Sequence, residues 1–164
     1  MRSPRPETRP LELLEACHAQ IRKTCRGLRA LAAPENLGDP RIPATAEACA
    51  RYLRLGLPLH GQDEDLSLAP RLRAQPDVPL AALEALDTMD DEHGAIDEEL
   101  ARLLPGLGAL ARGEARALRP EALIDLLDRH LALEEARVFP LVPTLPEHDQ
   151  AAIVREIRLR RAVP

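Results

Sequence analysis

The sequence predicts an all-α fold, on three observations. Leu, Ala, Arg and Glu dominate, while the 164 residues hold one Tyr, one Phe and no Trp. β-branched residues are scarce as well, so strands have little to be built from. Apolar residues recur at helical spacing over long stretches, and 16 prolines punctuate them. A chain of this length suits one domain with a single core.

Residues 1–9 form an Arg- and Pro-containing tail ahead of a helical bundle domain over 10–164. Pro10 suits a first turn, and the first helix runs over 10–32, with His18 on an apolar stripe beside Leu14, Ile21 and Cys25. A loop over 33–43 precedes a second helix, 44–73, where Cys49, Leu53 and Leu57 share a stripe with His60 and Glu64. Pro58 interrupts that helix and predicts a kink just before His60. The third helix covers 80–104, with Leu86, Met89, Ile96 and Leu100 flanking His93, and Pro105-Gly106 stops it. A Gly- and Arg-containing connector follows over 105–119. The fourth helix, 121–142, places Leu123, Leu126, Leu127 and Leu141 on the face of His130. A fifth, 147–162, has fewer apolar residues and packs outside a four-helix core.

The core helices carry a duplicated motif. His60–Pro70 (HGQDEDLSLAP) and His130–Pro140 (HLALEEARVFP) both read His, three residues, Glu, an acid, four residues, Pro. On a helix, i and i+4 share a face about one turn apart, so each His and its Glu aim the same way. A lone pair of this kind on a solvated face means little, but two copies sharing the acid and the proline do not fit chance. His18 and His93 echo each other more faintly, each with Ile at i+3 and Leu at i+10. Four helices thus each turn one histidine inward. Four imidazoles and two carboxylates in one apolar interior are costly unless neutralised. The six residues His18, His60, Glu64, His93, His130 and Glu134 are therefore candidate metal ligands. Two ions fit better than one, each with two histidines and with Glu64 and Glu134 bridging. Gly61 and Gly94, each directly after a candidate ligand, have two readings of equal standing: close helix approach near the site, or ordinary sequence drift.

Other residues receive plainer readings. Asp65 and Glu135 sit beside the site or face solvent, and His148 lies on the surface. Cys17, Cys25 and Cys49 are odd in number, lack CxxC spacing, and read as small core residues in a reducing, cytoplasmic setting. The basic run 155–161 (REIRLRR) reads as a solvated face. A net charge of −5 with interleaved signs argues against nucleic-acid or membrane partners, and no apolar run reaches a membrane span.

These motifs resemble the hemerythrin-like, or HHE cation-binding, domains over about residues 11–162. The resemblance rests on His18, on H-GQD-ED with Pro70, on Glu92-His93, and on the run HLALEEARVFP. It implies an antiparallel up-down four-helix bundle with an appended C-terminal helix. Within it the six residues hold two non-haem irons, with Mn or Zn as other occupants. It also implies binding or sensing of O2, NO, peroxide or iron. Oxygen-carrying members use a further histidine one turn from the first on the third helix; here those positions are Met89 and Asp97. Some members use the acid after the second-motif Glu, which makes Glu135 an alternative to Glu134. Two other functions stay open: an oxidase or peroxide-decomposing enzyme using the same centre, with Asp97 or Glu135 as proton donor, and a metal-free helical adaptor.

Overall fold

The computed structural model describes residues 9–33 and 38–162. The tail expected over 1–9 falls outside them except for Arg9. Every element among the described residues is helical, and no helix there is long and apolar enough to cross a membrane. Helix α1 spans Pro10–Ala32, opening on its proline as expected. Helix α2 is one rod over 42–73, made of α-helical segments Ile42–Arg51, Leu57–Asp63 and Ala69–Arg73 joined by wide π turns at Tyr52–Gly56 and Glu64–Leu68. It starts two residues earlier than the sequence suggested, because Pro43 sits inside its first turn, where no N–H is needed.

Helix α3 spans Leu80–Ala111 and is not stopped by Pro105-Gly106. Pro105 and Ala101, the residue whose carbonyl it cannot serve, are both exposed, so water can satisfy that carbonyl. The helix ends instead at Gly113, whose φ of 80° permits a left-handed cap. There the Gly113 N–H donates to Leu110 O and the Glu114 N–H to Ala109 O. Helix α4 is α-helical over Glu121–Leu133, widens to a π turn at Glu134–Val138, and tightens to a 3-10 turn at Phe139–Thr144. Helix α5 is Glu147–Ala162.

The kink expected at Pro58 takes the form of a π turn, and the same device recurs twice. Each wide turn is followed by a proline six residues after its first residue: Tyr52 and Pro58, Glu64 and Pro70, Glu134 and Pro140. A proline ring crowds the carbonyl four residues back and offers it no N–H. Widening the turn just before it relieves both problems, with bonds such as Phe139 N–H to Glu134 O.

Helices α1 and α3 each pack against both α2 and α4. Two apolar clusters fill the interior. One gathers Ile21, Leu28, Leu53, Leu57, Ile96, Leu100, Leu127 and Leu131; the other gathers Leu14, Leu68, Leu86, Met89, Val138 and Phe139. On every core helix the candidate ligands fall between a residue of one cluster and a residue of the other.

Helix α5 lies on α1 and α2 and buries Ile153 and Ile157 in the second cluster. Its basic run is a solvated face only in part: Arg155 and Arg158 are exposed, but Arg160 and Arg161 turn to a buried partner. Asp63, wholly buried, accepts from Arg160 Nη1 at 2.7 Å and from Arg161 Nη2 at 2.6 Å. Arg160 also donates to Ser67 Oγ, and Ser67 Oγ donates to Glu156, which pairs with Arg71 at 2.7 Å. A buried carboxylate needs such partners, and a helix with few apolar residues needs a second means of attachment. Cys17 is not core either: it is half-buried, and Arg161 Nη2 donates to its sulfur at 3.4 Å.

The glycines beside the site do not mark close helix approach. A Cβ on Gly61 or Gly94 would meet nothing within 4 Å, whereas one on Gly27 would lie 2.8 Å from Cys49 Sγ. The tight contact therefore belongs to α1 and α2 at Gly27. Gly94→Ala should raise unfolding free energy by about 0.5–1 kcal/mol through helix propensity alone. Gly27→Ala should show no gain or a loss, both read by urea denaturation. Asp63→Asn should lower stability by about 2–3 kcal/mol, because two arginines lose their buried partner; an unchanged denaturation midpoint would contradict the latch.

Candidate metal centre

The π turns and prolines set where the acidic side chains point. Glu64 and Glu134 each open a wide turn and are fully buried, one turn after His60 and His130 on the same rods. His18 Nε2 lies 2.8 Å from Glu134 Oε2. His130 Nε2 lies 2.9 Å from Glu134 Oε1. His60 Nε2 is 3.3 Å from Glu64 Oε1 and 3.9 Å from Glu134 Oε2. His93 Nε2 is 3.3 Å from Glu64 Oε2. Two groups of four donors result, His18, His60, Glu64, Glu134 and Glu64, His93, His130, Glu134, each with its donor atoms within 4.8 Å of one another. Both carboxylates belong to both groups. All six residues singled out by the sequence are thus brought together.

The acid that follows each glutamate has a separate role. Asp65 takes the Nδ1 of His93 at 2.8 Å, and Glu135 takes the Nδ1 of His18 at 2.8 Å. Glu135 is in turn gripped by both Arg22 Nη atoms, at 2.8 and 2.9 Å. Each motif therefore aims a His and a Glu inward and uses the next acid to orient the lone histidine of a neighbouring helix. Such outer bonds fix the ring and leave Nε2 free to coordinate. Glu92 does the same for His130 Nδ1, at 2.9 Å. In the sequence Glu92 stood out only as part of a motif; an acid directly before an inward His was the available signal. Phe139, the single phenylalanine, packs on the His18 ring with centroids 4.6 Å apart.

His60 has no such support. Its Nδ1 and Nε2, both Glu64 oxygens, His93 Nε2 and Glu134 Oε1 are buried without an aligned hydrogen-bond partner. Five of these atoms, all but His60 Nδ1, lie among the converging histidine and glutamate side chains; that is the pattern a cation would satisfy, and imidazole with carboxylate suits iron, manganese or zinc.

Without a cation the charges settle unevenly. Burial pushes the His60 pKa down to about 3. Burial also works against a charged His93, but Asp65 and Glu64 beside it outweigh that and push it up to about 10. Burial, then the neighbouring Glu134, holds Glu64 well above the usual carboxylate range. Glu134 is buried too, yet the His130 and His18 contacts hold it well below that range.

Of the remaining candidates, Met89 is fully buried in the second apolar cluster. Asp97 is exposed and lines a small cleft with His60, His93 and His130. Glu135 faces His18 Nδ1 rather than the shared interior. Cys25 and Cys49 pack in the first apolar cluster, and His148 is exposed beside Asp149.

A helical protein with a buried histidine–carboxylate cluster of this composition is of the cation-binding class. The sequence model of the family described as hemerythrin HHE cation binding domain matches residues 9–142, and the chain belongs to that family. It is also 28% identical over 134 residues to an uncharacterized protein of Haemophilus influenzae, the match covering 77% of this chain and 74% of the relative.

The pH dependence of the metal-free fold follows with its signs. The unfolded chain binds a proton at His60 below about 6.5 that the fold refuses until about 3, so His60 removes stability as pH falls through that window. The fold keeps a proton on His93 up to about 10 that the unfolded chain releases near 6.5, so His93 removes stability as pH rises through that window. Glu64, raised, acts like His93 from about 4.5 upward, and Glu134, depressed, acts like His60 below about 4.5. Urea denaturation in chelator should show a flat optimum between about 4.5 and 6.5 and decline on both sides. Stability that climbs from pH 7 to 9 would contradict these assignments.

Proposed function

We propose that the chain is a non-haem di-iron protein that binds or senses a small ligand, O2, NO or peroxide, or iron itself, in the cytoplasm. His18 and His60 hold one ion, His93 and His130 the other, and Glu64 and Glu134 bridge them. The observation that carries this reading is the pair of four-donor groups sharing two carboxylates. An antiparallel up-down bundle belongs to the same reading. Along α1 and α3 the chain runs from the second apolar cluster to the first, and along α2 and α4 it runs back, which supports alternation.

Bound irons would supply redox-active centres with coordination positions open to a small ligand. The chain's own part is to bind, orient and exclude. Two carboxylates offset part of the cationic charge, and Asp65, Glu92 and Glu135 fix three imidazole rings. The two apolar clusters, with Phe139 against His18, keep bulk water from either end.

Metal analysis with an optical spectrum, on protein purified from iron-replete cells, tests this. About two irons per chain are expected, with charge-transfer bands of a bridged pair. Chelation should lower the melting temperature, since a cation bound only to the fold stabilises it. Glu134→Ala should lose both ions because it serves both groups, whereas His60→Ala should weaken chiefly one. Zinc alone would sink the iron reading, and no metal with an unchanged melting temperature would leave the adaptor. Peroxide consumption faster than that of free iron would favour an enzyme.

A further inference from the structure

The cluster is not equally closed on all sides. The side chain of His93 is 16% exposed, whereas those of His18, His60 and His130 are at most 2% exposed. A cleft of about 180 Å³ between α2 and α3 leads to it, lined by Gly61, Gln62, Asp65, His93 and Asp97 as well as by His60 and His130. At its floor the wholly buried His60 keeps both ring nitrogens unpartnered. At its mouth stand two carboxylates, Asp97 and Asp65, both exposed. Gly61 keeps one wall open, since a Cβ there would meet nothing within 4 Å. Asp97 lies outside both four-donor groups, so it adds negative potential without adding a ligand.

Resting on the di-metal reading above, we propose that this cleft is the port through which a divalent cation reaches the centre, with Asp97 drawing it in and Gly61 leaving room for it to pass. A cation attracted to Asp97 moves past the exposed edge of His93 toward the unpartnered nitrogen of His60 and the oxygens of Glu64. His60 and His130 line the same cleft, and at His18 the outer ring nitrogen is taken by Glu135, itself held by Arg22.

The test follows cobalt(II) uptake by the metal-free protein, by absorbance in stopped flow at about 0.1 M salt, where charges beyond about 10 Å are screened. Asp97→Asn should slow uptake about threefold to fivefold, the effect of one charge on a divalent ion, and leave the number of ions bound at saturation unchanged. Glu84→Gln makes the same charge change on α3, about 20 Å away along the helix, and should leave the rate unchanged. Gly61→Leu, helix-favouring and with space for its side chain, should slow uptake several-fold by obstruction at unaltered charge. Equal rates in all four proteins would overturn the port. So would fewer ions bound by Asp97→Asn at saturation, which would make Asp97 a ligand. If the wild-type protein itself fails to take up about two ions, the di-metal reading fails instead, a result visible in the saturation value before any rate is compared.

Discussion

Two carboxylates buried in one layer with four imidazoles constrain everything else in this molecule. Glu64 and Glu134 share the same small volume, and two like charges cannot both be held there without compensation. The metal-free chain answers with an unequal division of charge. The His130 and His18 contacts hold Glu134 well below the usual carboxylate range, while burial and the nearby Glu134 hold Glu64 well above it. That division is a property of the layer, and it needs rods that do not move apart. The apolar clusters on either side supply this, each drawing residues from all or most of the core helices. Burying one Leu contributes about 1.5–3 kcal/mol. Both clusters thus hold the rods on either side of the polar layer.

The duplicated motif gains a physical meaning from the backbone. Its proline looked like punctuation, yet it sits within a continuous rod, on α2 at Pro70 and on α4 at Pro140. What it sets is the wide turn beginning at the buried glutamate. The acid after that glutamate is then turned toward a histidine of the adjoining helix, Asp65 to His93 and Glu135 to His18. One eleven-residue pattern thus encodes an inward His, an inward Glu, an outward-turned acid and the turn that separates their directions.

Much of this was legible because helical period and burial are local properties of sequence. The five helices, the six converging residues and the exposed His148 all follow from which face a residue occupies. Partner choice is not local, and there the sequence falls silent. Arg160 and Arg161 look like any basic run on a surface helix until Asp63, about a hundred residues away, is found buried beneath them. Close packing was one of two readings open for Gly61 and Gly94, and it fails because both face open space. Pro105 suggested a stop because a proline's effect depends on whether water can reach the carbonyl it leaves unserved.

The duplication is also imperfect in one informative place. Glu92 precedes His93 and holds the Nδ1 of His130; the residue preceding His18 is Cys17, which cannot play that part for His60 and is engaged by Arg161 instead. His60 is consequently the one core histidine without an outer carboxylate, and the one whose charged form burial suppresses most plainly. A ring held at Nδ1 by an acid is a stiffer and more basic donor than one left free. The group containing His93 and His130 is supported at both rings, while the group containing His18 and His60 is supported at one. The two halves of the centre therefore differ in donor strength although their donor types match. The less supported group is the one carried by His18 on α1 and His60 on α2.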